Sequence, residues 1–468
     1  MKKIFALTVA ILMLLSLTAC QDKTAPALPT QAPAATAAPA PTEEAAPAEE
    51  EAPAEAPAYA EKFNEQGFDE GVQIAPVVLL DNEQAKLTAT SLSFEYGMAN
   101  LNLELVNKTS EMLSVSCDTV SVNGFMAPCF LFLMAEGNST VSEPMDLAES
   151  ILLQGGVKTI SEIAFYGFSV NNEDATGGLS LQTNAYGVVS SDADVLTGLC
   201  DPLVTNAYGY SVLSSKQERI DFAEGIYASS AILTDDGYFQ KTLNFEVFND
   251  TDETITLEAG SIYLNELFAS ADYLTYTKIT PHCRSLFSVD LTSNVPYFCM
   301  DELDFDDDLY EIRMAFTINN GGEPVPYNFK VDGVMSGDKP DGKIVYDKDG
   351  ITIQSLGLIE DSLFSEENYV GSGAAVLLIT NKTGKTLYVH PEPSGLIFNG
   401  KPVEFNTNFY EIPDSDTLAF CCPYFDSLTD LLGITDDDQI TEATLALAFS
   451  EDEFSEQATT VTVDLLND

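Results

Sequence analysis

One pattern of alternating apolar residues that ends in Asn-x-Thr occurs three times in this chain. The copies are Leu101–Thr109 (LNLELVNKT), Leu243–Thr251 (LNFEVFNDT) and Ala375–Thr383 (AVLLITNKT). Every second residue is apolar, which is typical of a strand with one buried face. The Asn-x-Thr that follows favours a turn. We therefore predict that the three segments are equivalent strands in three copies of one fold.

The three copies share more than this strand. In each copy a short alternating segment ends in a second Asn, and a later one opens with Glu. These blocks are Val120–Asn123, Ile262–Asn265 and Leu396–Asn399, then Glu162–Phe165, Glu311–Met314 and Glu442–Leu445. The first asparagines recur 142 and 132 residues apart, which is the size of a domain and far above the period of a solenoid. Each copy is therefore expected to have its own core.

Short alternating strands separated by turn residues predict an all-β protein of antiparallel β-sandwiches. The architecture is expected to be immunoglobulin-like, but the chain has no tryptophan and its cysteines do not repeat with the copies, so true immunoglobulin domains are not predicted. Helices should be few, with candidates at 192–203 and 427–432. Leu103, Phe245 and Leu377 should be buried in mid-strand. The residues expected at the exposed strand end are Asn107, Asn249 and Asn381.

The N-terminus has the features of a secretory signal. Two lysines precede the apolar run Ile4–Leu17, and Leu17-Thr18-Ala19-Cys20 follows. The run is too short for a comfortable transmembrane helix. Leu-Thr-Ala-Cys resembles the lipobox of bacterial lipoproteins, which are cleaved before a cysteine that carries a diacylglycerol. The resemblance implies that Cys20 is the lipid attachment site on the extracytoplasmic face of the cell membrane, with stable anchoring through acyl chains such as palmitate.

An Ala-, Pro- and Glu-rich segment follows Cys20 and lacks the apolar side chains that could offset the entropy of ordering. We predict that it is a disordered tether. The complete predicted organisation is a signal peptide at 1–19, the lipidated Cys and tether at 20–60, β-sandwich repeat 1 at 61–190, a connector at 191–214, repeat 2 at 215–335 and repeat 3 at 336–468. This arrangement resembles bacterial surface lipoproteins with tandem immunoglobulin-like domains.

The charge of the chain restricts its partners. A formal net charge of −54 leaves no basic surface for nucleic acid. With only two histidines and a repeated architecture, we expect no catalysis but a binding, adhesion or spacer role. The alternative is an enzyme or enzyme accessory module that acts on cell-wall or dietary polysaccharide. The protein is expected to be monomeric and bound to the membrane through its lipid, and the sequence leaves any protein or glycan partner open.

Acidic loops are the weak candidates for a metal site. Asp304, Asp306 and Asp308 lie in a run of carboxylates that could supply oxygen ligands to calcium, and 436–438 is a second acidic run. Neither run has the spacing or the glycine of an EF-hand, and copy one has Gln154–Lys158 at this place. We therefore expect solvated loops, with no bound metal and no cofactor.

Two other patterns carry little functional weight. Ser336–Lys339 and Lys382–Gly384 match motifs of serine β-lactamases, but the first lies among glycines and the second is one copy of the repeated turn. Disulfides are conceivable for Cys117 with Cys129 and for Cys283 with Cys299. The odd number of cysteines after Cys20 favours buried free thiols instead. His282 and Cys283 lack two further ligands for zinc.

Overall fold

The computed structural model describes residues 57–466 except 96–97, 177, 190–193, 238–239, 270–274, 292–302, 304–308, 320, 335–339, 341, 359–374, 404–408, 422–427, 436–438 and 453–457. The predicted signal peptide, Cys20 and most of the predicted tether lie outside the described residues. Copy 1, copy 2 and copy 3 are the predicted repeats at 61–190, 215–335 and 336–468.

Copy 1 consists of short strands and one helix. Its elements are β1 (Val77–Asp81), β2 (Ala85–Glu95), β3 (Met98–Asn107), β4 (Leu113–Cys117), β5 (Val120–Val122), β6 (Phe125–Ala127), β7 (Leu131–Ala135), β8 (Thr140–Asp146), α1 (Glu149–Gln154), β9 (Glu162–Phe165), β10 (Phe168–Val170), β11 (Glu173–Thr176) and β12 (Leu179–Gln182). The predicted connector contains α2 (Val195–Leu199) and α3 (Pro202–Tyr208), and β13 (Ser211–Lys216) begins in the connector and joins the first sheet of copy 2.

Copies 2 and 3 repeat the same order of strands with fewer breaks. Copy 2 has β14 (Ile220–Ala223), β15 (Ile226–Asp235), β16 (Lys241–Asn249), β17 (Ile255–Leu264), β18 (Leu267–Ala269), β19 (Thr275–Ile279), β20 (Cys283–Asp290), β21 (Glu311–Ile318) and β22 (Gly321–Lys330). Copy 3 has β23 (Lys343–Lys348), β24 (Ile351–Leu358), β25 (Ala375–Asn381), β26 (Leu387–Phe398), β27 (Lys401–Pro402), β28 (Tyr410–Ile412), β29 (Thr417–Cys421), α4 (Leu428–Leu432), β30 (Ala443–Ser450) and β31 (Thr459–Asp464).

The prediction of an all-β protein with antiparallel sandwiches is confirmed. Within each copy one sheet carries the repeated strand in its middle, with orders β1-β2-β3-β8, β13-β15-β16-β20 and β23-β24-β25-β29. The opposing sheets are β11-β10-β4-β7 with β12-β9-β5-β6, then β22-β21-β17-β18 and β27-β26-β30-β31. The described helices are short, as expected, and none is long and apolar enough to cross a membrane.

The core of each copy lies between its two sheets, and the described residues form three apolar clusters. Leu103, Phe245 and Leu377 are at most 1% exposed, which confirms their predicted place in mid-strand. The period-two pattern identified these residues because alternate side chains of a strand point to opposite faces.

The prediction that Asn107, Asn249 and Asn381 lie at an exposed strand end is wrong, because they are at most 2% exposed. The amide of Asn249 donates to the backbone carbonyls of Glu253, Ile279 and Thr280 at 2.8–3.1 Å. Asn107 and Asn381 each donate to three equivalent carbonyls. These asparagines fasten two turns where the strand reaches the end of the sandwich, so they must be buried to satisfy the turn carbonyls.

The sheets continue from one copy into the next. β6 of copy 1 pairs in parallel with β20 of copy 2, with Phe125 opposite Arg284. β18 of copy 2 pairs in parallel with β29 of copy 3, with Phe268 opposite Leu418. The second sheet of one copy thus becomes part of a nine-stranded sheet with the first sheet of the next. We call these contacts junction 1 and junction 2.

The neighbouring copy covers the outer face of the first sheet in copies 2 and 3. Val376 and Leu378 point away from the core of copy 3, yet they are buried in the apolar cluster of copy 2. At the same register of copy 2, Asn244 and Glu246 are also buried. In copy 1 the corresponding residues of β3 are half-buried, and the strand alternates along its whole length.

The helices between copies 1 and 2 pack on both of them. Val195, Leu199 and Val204 belong to the apolar cluster of copy 1, and α2 also contacts β15 and β16. Gly198 allows α2 to lie close to the end of α1, since a Cβ there would lie 2.4 Å from the carbonyl oxygen of Gln154. In this segment the helix predicted at 192–203 is two short helices, α2 and α3.

Candidate functional site

Most site residues proposed from the sequence lie outside the described residues. These are Cys20, Asp304, Asp306, Asp308, the acidic run 436–438 and the serine motif 336–339. Within the described part of the chain, no group of three or more His, Cys, Asp or Glu side chains is placed to hold a metal ion.

The Lys-Thr-Gly motif at 382–384 is part of a structural turn. The hydroxyl of Thr383 donates to the side-chain oxygen of Asn381 at 2.8 Å, and the Gly384 amide donates to Asp414 at 2.8 Å. Gly384 has a φ of 82°, which favours glycine. The motif is therefore explained by the turn in which the chain reverses direction.

The two members of the His282–Cys283 pair have separate roles. His282 occupies a turn with a φ of 55°, and its exposed Nε2 lies 3.0 Å from a carboxylate oxygen of Asp252. Cys283 is buried, and its sulfur lies 3.0 Å from the hydroxyl of Tyr166 in copy 1. Since the two side chains contact different neighbours, they form no joint site.

Cys117 and Cys129 are buried free thiols, as expected for cysteines that do not form a disulfide framework. The sulfur of Cys117 lies 3.3 Å from the Thr119 carbonyl oxygen. Burial raises the pKa of Cys129 to about 12 and also raises the pKa of Cys117. Because the thiolate is the nucleophile, neither side chain is suited to nucleophilic catalysis near neutral pH.

Junction 1 contains a buried ion pair. Arg284 donates through Nη1 to Glu246 at 2.8 Å, and the hydroxyl of Ser229 donates to the other carboxylate oxygen at 2.6 Å. The Arg284 backbone amide donates to Gly124 of copy 1, and the guanidinium lies 5.6 Å from the centre of the Phe125 ring. One residue of copy 2 thus contacts the edge strand of copy 1 with both its backbone and its side chain.

At each junction, a tyrosine hydroxyl of one copy contacts a residue of the next copy, and the two contacted residues are in equivalent positions. Tyr166 lies 3.0 Å from Cys283 at junction 1, and Tyr263 donates to Asp416 at 2.7 Å at junction 2. Cys283 lies opposite the buried Asn249 on the neighbouring strand, and the backbone amide of Asn381 donates to the backbone carbonyl of Asp416. Cys283 and Asp416 therefore occupy the same place in their copies. Burial, and then the hydrogen bond to Asp416, raises the pKa of Tyr263 above the ordinary tyrosine value.

A cleft of about 300 Å³ lies at junction 1. Asp118, Thr119 and Met126 of copy 1 form one side, together with other residues of that copy. The other side comes from β19 and β20 of copy 2 and includes Tyr276, Lys278 and Ser285. Its volume is at the lower end of the range for small-molecule sites.

The lining of this cleft combines an aromatic ring, charges and hydroxyl groups. Tyr276 is 69% exposed, and no ion-pair partner of Lys278 occurs among the described residues. Asp118 accepts only from the adjacent Thr119 hydroxyl at 3.1 Å among the described contacts. The Thr277 and Ser285 hydroxyls lie 3.4 Å apart and add further polar groups. We call this group of residues the junction 1 cleft.

The residues of the junction 1 cleft were not identified from the sequence. They come from two copies that the repeat predicts to be separate domains, and no single motif contains them. The sequence contained one signal, because copy 2 has Lys278 at the position where copy 1 has Met134 and copy 3 has Glu411. Only the pairing of β6 with β20 brings Lys278 close to copy 1.

No family model matches the chain, and no curated protein matches it. Among solved structures, the YadV chaperone is 10% identical over 48% of this chain and 92% of that chain, with a TM-score of 0.15. A transglutaminase of red sea bream is 10% identical over 79% and 58% of the two chains, with a TM-score of 0.14. A bacterial ice-binding adhesin is 11% identical over 78% and 88%, with a TM-score of 0.12. Similarities at such TM-scores carry no argument about function.

Proposed function

We propose that this protein is a lipid-anchored, extracytoplasmic binding module without catalytic activity. The lipobox-like segment before Cys20 supports the anchor, and the Ala- and Pro-rich segment after it supports a spacer between the membrane and the sandwiches. The three fused copies support a binding or adhesion role, because tandem sandwiches provide surfaces and junctions.

The observation that carries the binding role is the junction 1 cleft. Two copies meet there around a space of about 300 Å³ with exposed Tyr276, the cation of Lys278 and several hydroxyl groups. An aromatic ring beside hydroxyl groups suits a ligand that has both an apolar face and many hydroxyls. A short saccharide has this chemistry, which also keeps open the alternative of an accessory module that binds polysaccharide.

The test is binding of short neutral oligosaccharides and soluble cell-wall fragments to the purified full-length chain, measured by calorimetry. Tyr276→Ala and Lys278→Ala should each weaken binding at least tenfold. Tyr186→Ala, which removes a 49% exposed tyrosine elsewhere in copy 1, is the matched control and should leave binding unchanged. Binding that survives the combined Tyr276→Ala and Lys278→Ala changes would refute a role for the junction 1 cleft.

A further inference from the structure

The outward face of β7 in copy 1 carries a row of exposed apolar side chains. Phe130 is 64% exposed, Phe132 47% and Met134 46%, and the rings of Phe130 and Phe132 are nearly parallel at 6.1 Å between centres. Met112, next to the start of β4, is 56% exposed. Large exposed apolar side chains that lie side by side mark interaction sites more often than scattered ones do. We call these four residues the β7 face.

The other copies are more polar at the same register. Met134, Lys278 and Glu411 lie opposite the same position of β4, β17 and β26, so they are equivalent residues of the three copies. The same alignment makes Phe132 and Tyr276 equivalent, and Tyr276 lines the junction 1 cleft. The fold therefore accepts charged residues at the Met134 position, so packing within the sandwich does not require methionine there.

The position of β7 relates its exposed face to an interface that the chain already forms. In copy 2, β19 and β20 face the preceding copy across junction 1. In copy 1, β7 and β8 are their equivalents, and among the described residues no preceding copy lies against them. β8 pairs with β3 on one side only within the described sheets. This end of copy 1 thus presents the side of the sandwich that adjoins the preceding copy in copy 2, where Tyr276, the equivalent of Phe132, is itself 69% exposed.

Acidic residues surround the β7 face. Glu111 and Glu136 meet at one end of β7, where their backbone carbonyls accept from the same amide of Asn107 at 2.7 and 3.0 Å. Asp118 lies at the other end, next to the pairing of Cys117 with Leu131. Glu143 is exposed on β8. The nearby cation Lys108 is bound to Asp81 and to the Asn82 carbonyl, so it does not neutralise this surface.

We propose that the β7 face is a docking surface for an extended segment of another protein that has alternating apolar side chains in its middle and basic side chains at its ends. Apolar side chains of the segment would cover Phe132 and Met134, and its basic side chains would meet Glu111, Glu136 and Asp118. A second copy of this chain fits less well, because it would bring another net charge of −54 to an acidic surface. Asp118 also lines the junction 1 cleft, but the proposal does not depend on a ligand there.

The test uses fluorescent eight-residue peptides and the purified full-length chain. The first, called the leucine–lysine peptide, alternates leucine with serine and has a lysine at each end. It should bind, because alternation places all leucines on one face of an extended segment and the terminal lysines reach the acidic ends of β7. A peptide with glutamate in place of the terminal lysines, and a serine–lysine peptide with serine in place of every leucine, should bind at least tenfold more weakly. Phe132→Ser combined with Met134→Lys should weaken the leucine–lysine peptide at least tenfold, and Ile344→Ser, which removes a 59% exposed side chain of copy 3, should not.

Three results would overturn the proposal. The first is equal binding of the leucine–lysine peptide to wild type and to the Phe132→Ser, Met134→Lys variant. The second is equal binding of the serine–lysine peptide, which would mean charge attraction without an apolar site. The third is dimerisation of the wild type in sedimentation that the same variant abolishes, which would identify a second copy as the occupant. Circular dichroism of the variant checks its fold, for which Lys278 at the equivalent position is the precedent.

Discussion

The hydroxyl of Thr251 donates to the side-chain oxygen of Asn249 across 2.7 Å, and the same contact joins Thr109 to Asn107 and Thr383 to Asn381 at 2.8 Å. Each threonine hydroxyl also lies within 3.2 Å of the backbone carbonyl two residues after it, and this carbonyl accepts from the asparagine amide as well. Because one hydroxyl and one amide satisfy a complete turn, the Asn-x-Thr motif fixes where the repeated strand ends.

Replacing this asparagine should destabilise the protein strongly. Asn249→Ala is expected to lower the free energy of unfolding of copy 2 by about 3 kcal/mol, because a buried carbonyl that loses its donor costs about 1–3 kcal/mol. Thr251→Val should cost about 1 kcal/mol, since it removes only the hydroxyl contacts. Asn100→Ala removes a single bond of 3.3 Å and is the control. Urea unfolding checks the order, and equal stability of Asn249→Ala and Asn100→Ala would contradict it.

The buried pair at junction 1 should show strong coupling. Arg284→Met leaves the carboxylate of Glu246, which is 3% exposed, without its cation and should cost about 3–5 kcal/mol. Adding Glu246→Leu should restore most of this loss, because the buried charge is then removed as well. A double-mutant cycle from guanidinium unfolding measures the coupling energy. Additive effects of the two substitutions would mean that the pair does not act as a unit.

Stability should depend on the protonation of Glu149. Burial raises the pKa of this carboxyl above its unfolded value, although a bond from Asn64 at 3.2 Å opposes the shift. Between the unfolded and the folded pKa the native state binds more protons, so the contribution of Glu149 to stability falls as pH rises through that window. Glu149→Gln should therefore raise the melting temperature at pH 7.

This gain should shrink as the pH falls below the folded pKa of Glu149, because wild-type Glu149 is then neutral too. Glu143→Gln on the exposed strand β8 is the control and should give no gain at pH 7. Thermal unfolding from pH 4 to pH 7 provides the comparison. A gain that stays constant over this range would show that Glu149 does not titrate with folding.

Fragment 340–468 is expected to fold alone but with reduced stability. It contains nearly the whole apolar cluster of copy 3, so a cooperative, β-rich melt should be observed. Removing copy 2 exposes Val376, Leu378 and Ala419 and deletes Phe268 from that cluster. Fragment 211–468, which keeps β13, should therefore melt at a higher temperature and bind less of a hydrophobic dye. Identical melts of copy 3 in both fragments would contradict a role of junction 2 in stability.

The proposed anchor predicts the fate of a cysteine variant. Cys20→Ala should move the protein from the membrane to the medium or leave it unprocessed, because the lipid is proposed as its only attachment. Cys200→Ala, which changes an exposed cysteine after α2, is the matched control and should stay at the membrane. Fractionation with mass spectrometry of the N-terminal peptide measures both. A processed, membrane-bound Cys20→Ala protein would disprove the anchor.

The sequence by itself determined the all-β class, the three copies and their inward-facing residues. These follow from local physics, because alternation in a strand places Leu103, Phe245 and Leu377 on one face wherever the strand lies. It also contained a signal that the prediction did not use. The repeated strand of copy 3 reads Ala-Val-Leu-Leu-Ile, and a continuous apolar run indicates a strand covered on both faces.

Only the tertiary structure decided what lies between the copies. Asn249 is polar and ends a strand, so its sequence context favours an exposed turn. Its burial becomes favourable only because the distant carbonyls of Ile279 and Thr280 converge on its amide together with the nearby carbonyl of Glu253. Lys278 and Asp118 share a cleft because β6 pairs with β20 across the junction. Such contacts depend on the register of strands far apart in sequence, and a local pattern of residues does not encode that register.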